Sequence, residues 1–176
     1  MNIGQIFKAD SANGSGIRVS LFVSGCTNHC EGCFQPETWD FNYGHLYTQD
    51  TEDEIFDEVS KPYYDGLTLL GGDPMEESNQ RGLLPLVKRI KAELPDKTIW
   101  AYTGFLYDRD LVKGGRRYFE GVTDELLDRI DVLVDGPFVL EKKNLMLNFR
   151  GSENQRIIDM KASRASGKVV LHELNN

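Results

Sequence analysis

Residues 18–34 read RVSLFVSGCTNHCEGCF, and two patterns meet in them. The stretch Arg18–Ser24 is a short, nearly continuous apolar run, which is how a strand covered on both faces reads. Immediately after it come Cys26, Cys30 and Cys33 in C-x3-C-x2-C spacing, the only three cysteines among 176 residues. Three thiolates on one short loop hold three corners of a cuboidal iron–sulfur cluster, whereas a complete all-protein ligand set takes four. One iron is then left open to chemistry.

Working outward, three more segments share the character of Arg18–Ser24: Leu67–Leu70 (LTLL), Thr98–Tyr102 (TIWAY) and Asp131–Val134 (DVLV). Helical patterns lie between them. Thr51-Glu-Asp-Glu54 has capping-box form and leads into Ile55, Phe56 and Val59. Leu83, Leu84, Val87, Ile90 and Leu94 recur at helical spacing, with Pro85 placed in a first turn and Pro95 as a stop. Thr123 opens a third helix with Leu126, Leu127 and Ile130 on its apolar side. Strands alternating with helices predict an α/β fold with a mostly parallel sheet and crossover helices. The chain is well short of the roughly 250 residues of a complete eight-stranded barrel, so a partial (β/α) barrel or an open curved sheet is expected. All 176 residues read as one domain, with a core of about 13–156 and residues 157–176 as a C-terminal extension.

The four strands run into Gly25-Cys26, Gly71-Gly72-Asp73-Pro74, Thr103-Gly104 and Asp135-Gly136-Pro137. Ligands of α/β sheets sit beyond the carboxyl ends of the strands, so these turns are expected to converge on one site. A formal net charge of -8 gives no general attraction to nucleic acid or to an anionic membrane surface. The N-terminal residues lack the charged-then-apolar form of a secretory signal, and no apolar run reaches a membrane span. Tightly packed cysteines in odd number fit a reducing compartment better than a disulfide framework, so the expected location is the cytoplasm.

Other readings compete for the triplet. A structural zinc site needs a fourth ligand, with His29, His45 and His172 available, but its ligands usually arrive as two separated pairs. Cys30 and Cys33 alone make a redox dithiol, which leaves Cys26 without a role. Buried structural thiols suit a loop containing Gly, Asn and Glu poorly. The cluster explains all three cysteines at once. Gly71-Gly72-Asp73-Pro74 is a good strand-ending turn in its own right and also a place where backbone comes close to a ligand. Phe34 reads as core or as an aromatic wall, and Asp135 as a turn cap or a partner for a ribose hydroxyl. Arg18 reads as a structural ion-pair partner. Met75, Trp39, Trp100 and Tyr102 read as packing.

The C-x3-C-x2-C triplet followed by Phe34, together with the GGDP turn, resembles the signature of the radical S-adenosylmethionine superfamily. The strings at 13–26 (NGSGIRVSLFVSGC), 30–34 (CEGCF), 38–39 (TW), 71–74 (GGDP), 99–105 (IWAYTGF), 131–136 (DVLVDG) and 149–156 (FRGSENQR) resemble, in order and spacing, its smallest branch. That branch comprises the activases of anaerobic ribonucleoside-triphosphate reductase. The resemblance implies a [4Fe-4S] cluster on Cys26, Cys30 and Cys33, with S-adenosyl-L-methionine chelating the fourth iron through its amino and carboxylate groups. It implies reductive cleavage of that cofactor to a 5′-deoxyadenosyl radical, which abstracts hydrogen from a glycine of the reductase. It places the cofactor's amino group at Gly71 and Gly72 with Asp73 beside it, its adenine at Gly32, Cys33 and Phe34, and its ribose near Asp135. The implied partners are the large subunit of anaerobic ribonucleotide reductase and a low-potential electron donor such as a flavodoxin. Neighbouring possibilities are an activase of formate acetyltransferase or a small radical enzyme acting on a metabolite. Asp108–Gly121 is longer than the corresponding loop of that branch.

Overall fold

The four apolar runs form the centre of a seven-stranded sheet in the computed structural model, which describes residues 1–176. The strands are β1 (Asn2–Asp10), β2 (Arg18–Val23), β3 (His45–Leu46), β4 (Gly66–Gly71), β5 (Thr98–Tyr102), β6 (Val132–Asp135) and β7 (Arg156–Asp159). Their order across the sheet is β3-β1-β2-β4-β5-β6-β7. Neighbours β2, β4, β5 and β6 run parallel. β1 and β3 flank them antiparallel on one side and β7 does so on the other. β3 and β7 are opposite edges, so the sheet is open. β1 and β7 lie outside or at the limit of the 13–156 core expected from sequence. In NIGQIFKAD the polar residues and glycine break the apolar run, because most of this strand stays in contact with solvent.

Five helices accompany the sheet: α1 (Gln49–Val59), α2 (Glu77–Glu93), α3 (Tyr107–Asp110), α4 (Thr123–Leu127) and α5 (Met160–Ser166). The capping box of α1 belongs to Thr48, whose side chain accepts from Thr51 N–H while Thr51 Oγ1 accepts from Thr48 N–H. Thr51 is therefore the far half of the box, and the expected start was three residues late. Pro85 lies in the interior of α2, because the helix begins about two turns earlier than the apolar repeat does. Leu94 caps α2 just before Pro95. Thr123 opens α4, and its hydroxyl accepts from Phe119 N–H and donates to Gln80 of α2.

Side chains alternate between the sheet's faces with period two. Val19, Leu21, Leu67, Leu69, Ile99, Ala101 and Leu133 face the helices and join one cluster of 25 buried residues with Ile55, Leu83 and Val87 among them. The other face carries a small cluster of Trp100, Val132, Val134 and Ile157. It also carries Arg18, which is fully buried. The guanidinium donates to Thr68 Oγ1, Thr98 Oγ1 and the carbonyls of Ser15, Leu67 and Thr98. Arg18 thus ties three parallel strands through carbonyls and hydroxyls, and the expected ion pair is replaced by full hydrogen bonding. Burial pulls its pKa down to about 10, and hydrogen bonds to every part of the fork offset the cost of taking the charge from water.

Candidate active site

On the face away from the helices, Phe22, Leu70, Tyr102 and Val134 form one row across the carboxyl ends of β2, β4, β5 and β6. Phe22 is in register with Leu70, and Tyr102 with Val134. This row is the floor of a cleft of ≈ 620 Å³. Cys26, Cys30 and Cys33 all line it, as do Phe34, Gly71, Gly72 and Asp73. The four strand-ending turns therefore converge on one edge, with Thr103, Gly104 and Gly136 completing it. Trp100 and Met75 are core, while Trp39 and Tyr102, expected only to pack, are also cleft wall.

The cysteine loop is stitched to the glycine turn by backbone bonds. Gly72 N–H donates to Val23 C=O at 2.7 Å and Asp73 N–H to Gly25 C=O at 2.8 Å, while Gly25 N–H reaches Thr38 C=O at 2.7 Å. The glycines are required by this seam. A Cβ on Gly71 would lie 2.6 Å from Val23 O, and one on Gly72 2.6 Å from Gly25 O. Close approach at Gly71 and Gly72 is thus first to the chain itself. Thr27 donates through its N–H and hydroxyl to Glu76, and Arg117, from the long 108–121 segment, reaches both Glu76 and Thr27. The extended segment braces the loop that carries the cysteines.

Asp73 is the hub of the edge. Its carboxylate accepts from Asn28 Nδ2 (2.9 Å), Met75 N–H (2.9 Å), Thr103 Oγ1 (2.7 Å) and Gly104 N–H (2.8 Å). Burial pushes this carboxyl up to about 7 against the lowering by those donors. Its oxygens accept from three loops and so join them. Sequence reading missed Asn28, Glu76 and Thr103, although Asn28 lies between two of the cysteines and Thr103 in a flagged turn.

Other residues expected at the cofactor have partners within the chain. Asp135 is fully buried and its carboxylate is held by Arg156 Nε (2.9 Å), by a second Arg156 nitrogen (2.6 Å) and by Tyr107 N–H (2.8 Å). It is a bracket between β6 and β7. A Cβ on Gly32 would meet Leu140 and Phe138, and Phe138 also lines the cleft. Phe34 stays 71% exposed at the rim, 5.6 Å from the Phe138 ring, and Lys143 Nζ stands 5.6 Å over its face. An exposed ring on a cleft wall is free to stack on another flat group.

The donor set fits an iron–sulfur cluster. Burial pushes the Cys26 thiol up to about 11 and raises Cys30 as well, so metal binding at these two displaces protons. None of the three histidines serves the triplet. His29 stacks on Trp39 with ring centroids 4.5 Å apart, His45 pairs at the sheet edge, and His172 Nδ1 accepts from Leu174 N–H. No three His, Cys, Asp or Glu side chains gather closely enough to hold one ion. The cleft volume lies in the range of small-molecule sites, roughly 300–1,000 Å³, with an apolar floor and polar turns at its edge.

Comparison with known proteins accords with this geometry. Residues 12–158 match the model of the family described as 4Fe-4S single cluster domain. The chain is 42% identical over 159 residues to the anaerobic ribonucleoside-triphosphate reductase-activating protein of Vibrio cholerae, covering 89% of this chain and 97% of that one. The proteins of the same name from Escherichia coli K12 and phage T4 are each 40% identical, over 157 and 160 residues, covering 88% and 89% of this chain and 96% and 93% of their own lengths. No solved structure gives a significant match.

Proposed function

Because the chain belongs to the family of anaerobic ribonucleoside-triphosphate reductase-activating proteins, within the 4Fe-4S single cluster domain family, we propose that it installs a glycyl radical on such a reductase. Three cysteines open into one cleft at the carboxyl edge of the parallel strands, and this observation carries the reading. Cys26, Cys30 and Cys33 would hold a [4Fe-4S] cluster there, and the cluster would supply the electron for reductive cleavage of S-adenosyl-L-methionine and so for removal of an α-hydrogen from glycine.

The chain's own residues supply position and shielding. Cys26, Cys30 and Cys33 hold the metal group. The backbone at Gly71 and Gly72 meets the cofactor's amino group at the cleft wall, and Cys33 and Phe34 present backbone and an exposed ring to the adenine. Asp73 keeps the three turns in mutual register, and Phe22, Leu70, Tyr102 and Val134 close the cleft from below with apolar surface. The peptide bearing the target glycine must come within reach of the 5′ carbon, and positioning of this kind accounts for much of a bimolecular barrier. The partner is the large subunit of the reductase, the electron donor is a low-potential protein such as a flavodoxin, and the compartment is the cytoplasm. No helix is long and apolar enough to cross a membrane. Formation of 5′-deoxyadenosine with dithionite, compared between the reconstituted protein and Cys33→Ala, tests the ligand assignment. The variant is expected to lose the product, and equal yields overturn the assignment.

A further inference from the structure

We infer that the Asn28 side chain sets the reduction potential of the cluster by donating a hydrogen bond to its Cys26 corner, an inference that rests on the triplet holding a cluster. The Asn28 amide is fixed at both protons. One goes to Asp73 Oδ2 at 2.9 Å and the other to Cys26 Sγ at 3.7 Å, within range for a sulfur acceptor. It is the one side chain that hydrogen-bonds a cysteine sulfur. His29 holds φ at 46°, a conformation uncommon outside glycine, and successive N–H groups in such a turn converge on an anion.

Two further loops keep the amide in place. Asp73 is itself anchored by Met75, Thr103 and Gly104. Gly104 leaves the room that the amide fills, since a Cβ there would sit 2.5 Å from Asn28 Nδ2. Cys26 is thus the corner to which a side chain donates. One-electron reduction adds negative charge that is shared by the thiolate sulfurs. A donor aimed at a sulfur stabilises the reduced cluster more than the oxidised one and raises the potential. Groups behind a metal's own ligands act on it in this way.

The test is the midpoint potential of the reconstituted holoprotein, followed by electron paramagnetic resonance during titration with dithionite. Asn28→Ala removes the donor, and Gly104→Ala displaces it while leaving residue 28 unchanged. Both are expected to lose about tenfold in the reduction equilibrium, a midpoint about 59 mV lower for a one-electron couple. Thr27→Val loosens the same loop at Glu76 and leaves the amide alone, so its midpoint is expected to match the wild type. Variants that assemble a cluster at the wild-type potential overturn the inference and leave the cluster reading intact. A wild-type protein that takes up no iron or sulfide overturns both. If a variant fails to assemble a cluster, wild-type holoprotein labelled with ¹⁵N in asparagine side chains decides the matter. A ¹⁵N coupling to the reduced cluster is expected, and its absence refutes the hydrogen bond.

Discussion

Asp73 shows how a residue's role depends on neighbours that a linear reading does not bring together. Its place after two glycines was legible, but its partners come from the cysteine loop, its own turn and the turn after β5. The cysteines were legible because all three fall in eight residues and thiols in such a loop have few uses. The bonding of Asp135 was not legible because Arg156, twenty-one positions away, completes it only when β7 pairs with β6. Gly71 is the sharpest test at this scale. Its φ of +107° and the 2.6 Å from a built Cβ to Val23 O leave no space for a side chain. Gly71→Ala is expected to lose more than about 1 kcal/mol of stability, read as a lower Tm by thermal unfolding. An unchanged Tm would mean that the seam between β4 and the cysteine loop is not close-packed.

At the level of elements, the strands at the sheet's centre were readable because both of their faces are covered and their apolar runs are continuous. β1 and β7 were not, since most of β1 stays in contact with solvent and β7 has only two apolar residues, Ile157 and Ile158, between Arg156 and Asp159. The start of α2 was obscured because its first turns are largely polar. The 108–121 segment looked like an insertion without a function, and in the fold it braces the cysteine loop through Arg117. Asp110 organises that segment by accepting from Leu106 N–H, Arg109 and Arg116. Burial alone would raise the pKa of this carboxyl, but Arg109, Leu106 N–H and Arg116 outweigh it and bring it to about 2. A carboxylate whose folded pKa lies below the unfolded value of about 3.9 stabilises fully above that value and loses its contribution as pH falls through about 2. Asp110→Asn is therefore expected to cost on the order of 1 kcal/mol at pH 7, with the gap to wild type closing between about pH 4 and pH 2. Chemical denaturation across that range measures it, and a gap independent of pH would remove the charge from the explanation.

For the whole molecule, the decisive feature is the difference between the two faces of the sheet. One is sealed by helices over a 25-residue core, and the other leaves a cleft above a row of four side chains at the strand ends. The four turns that end the central strands mark that edge in the sequence, which is why the location of the site was legible before any contact within it was. The contacts themselves were not, because the loops that make them take their positions from one another. In the proposed function the metal group, the cofactor and the glycine on a second protein meet at that one edge. The most direct measurement is electron paramagnetic resonance of anaerobic ribonucleotide reductase after anaerobic incubation with the reconstituted protein, S-adenosyl-L-methionine and a low-potential donor. A glycyl radical doublet on the reductase, absent with Cys33→Ala, is the expected result. Formation of 5′-deoxyadenosine with no radical on the reductase would contradict it.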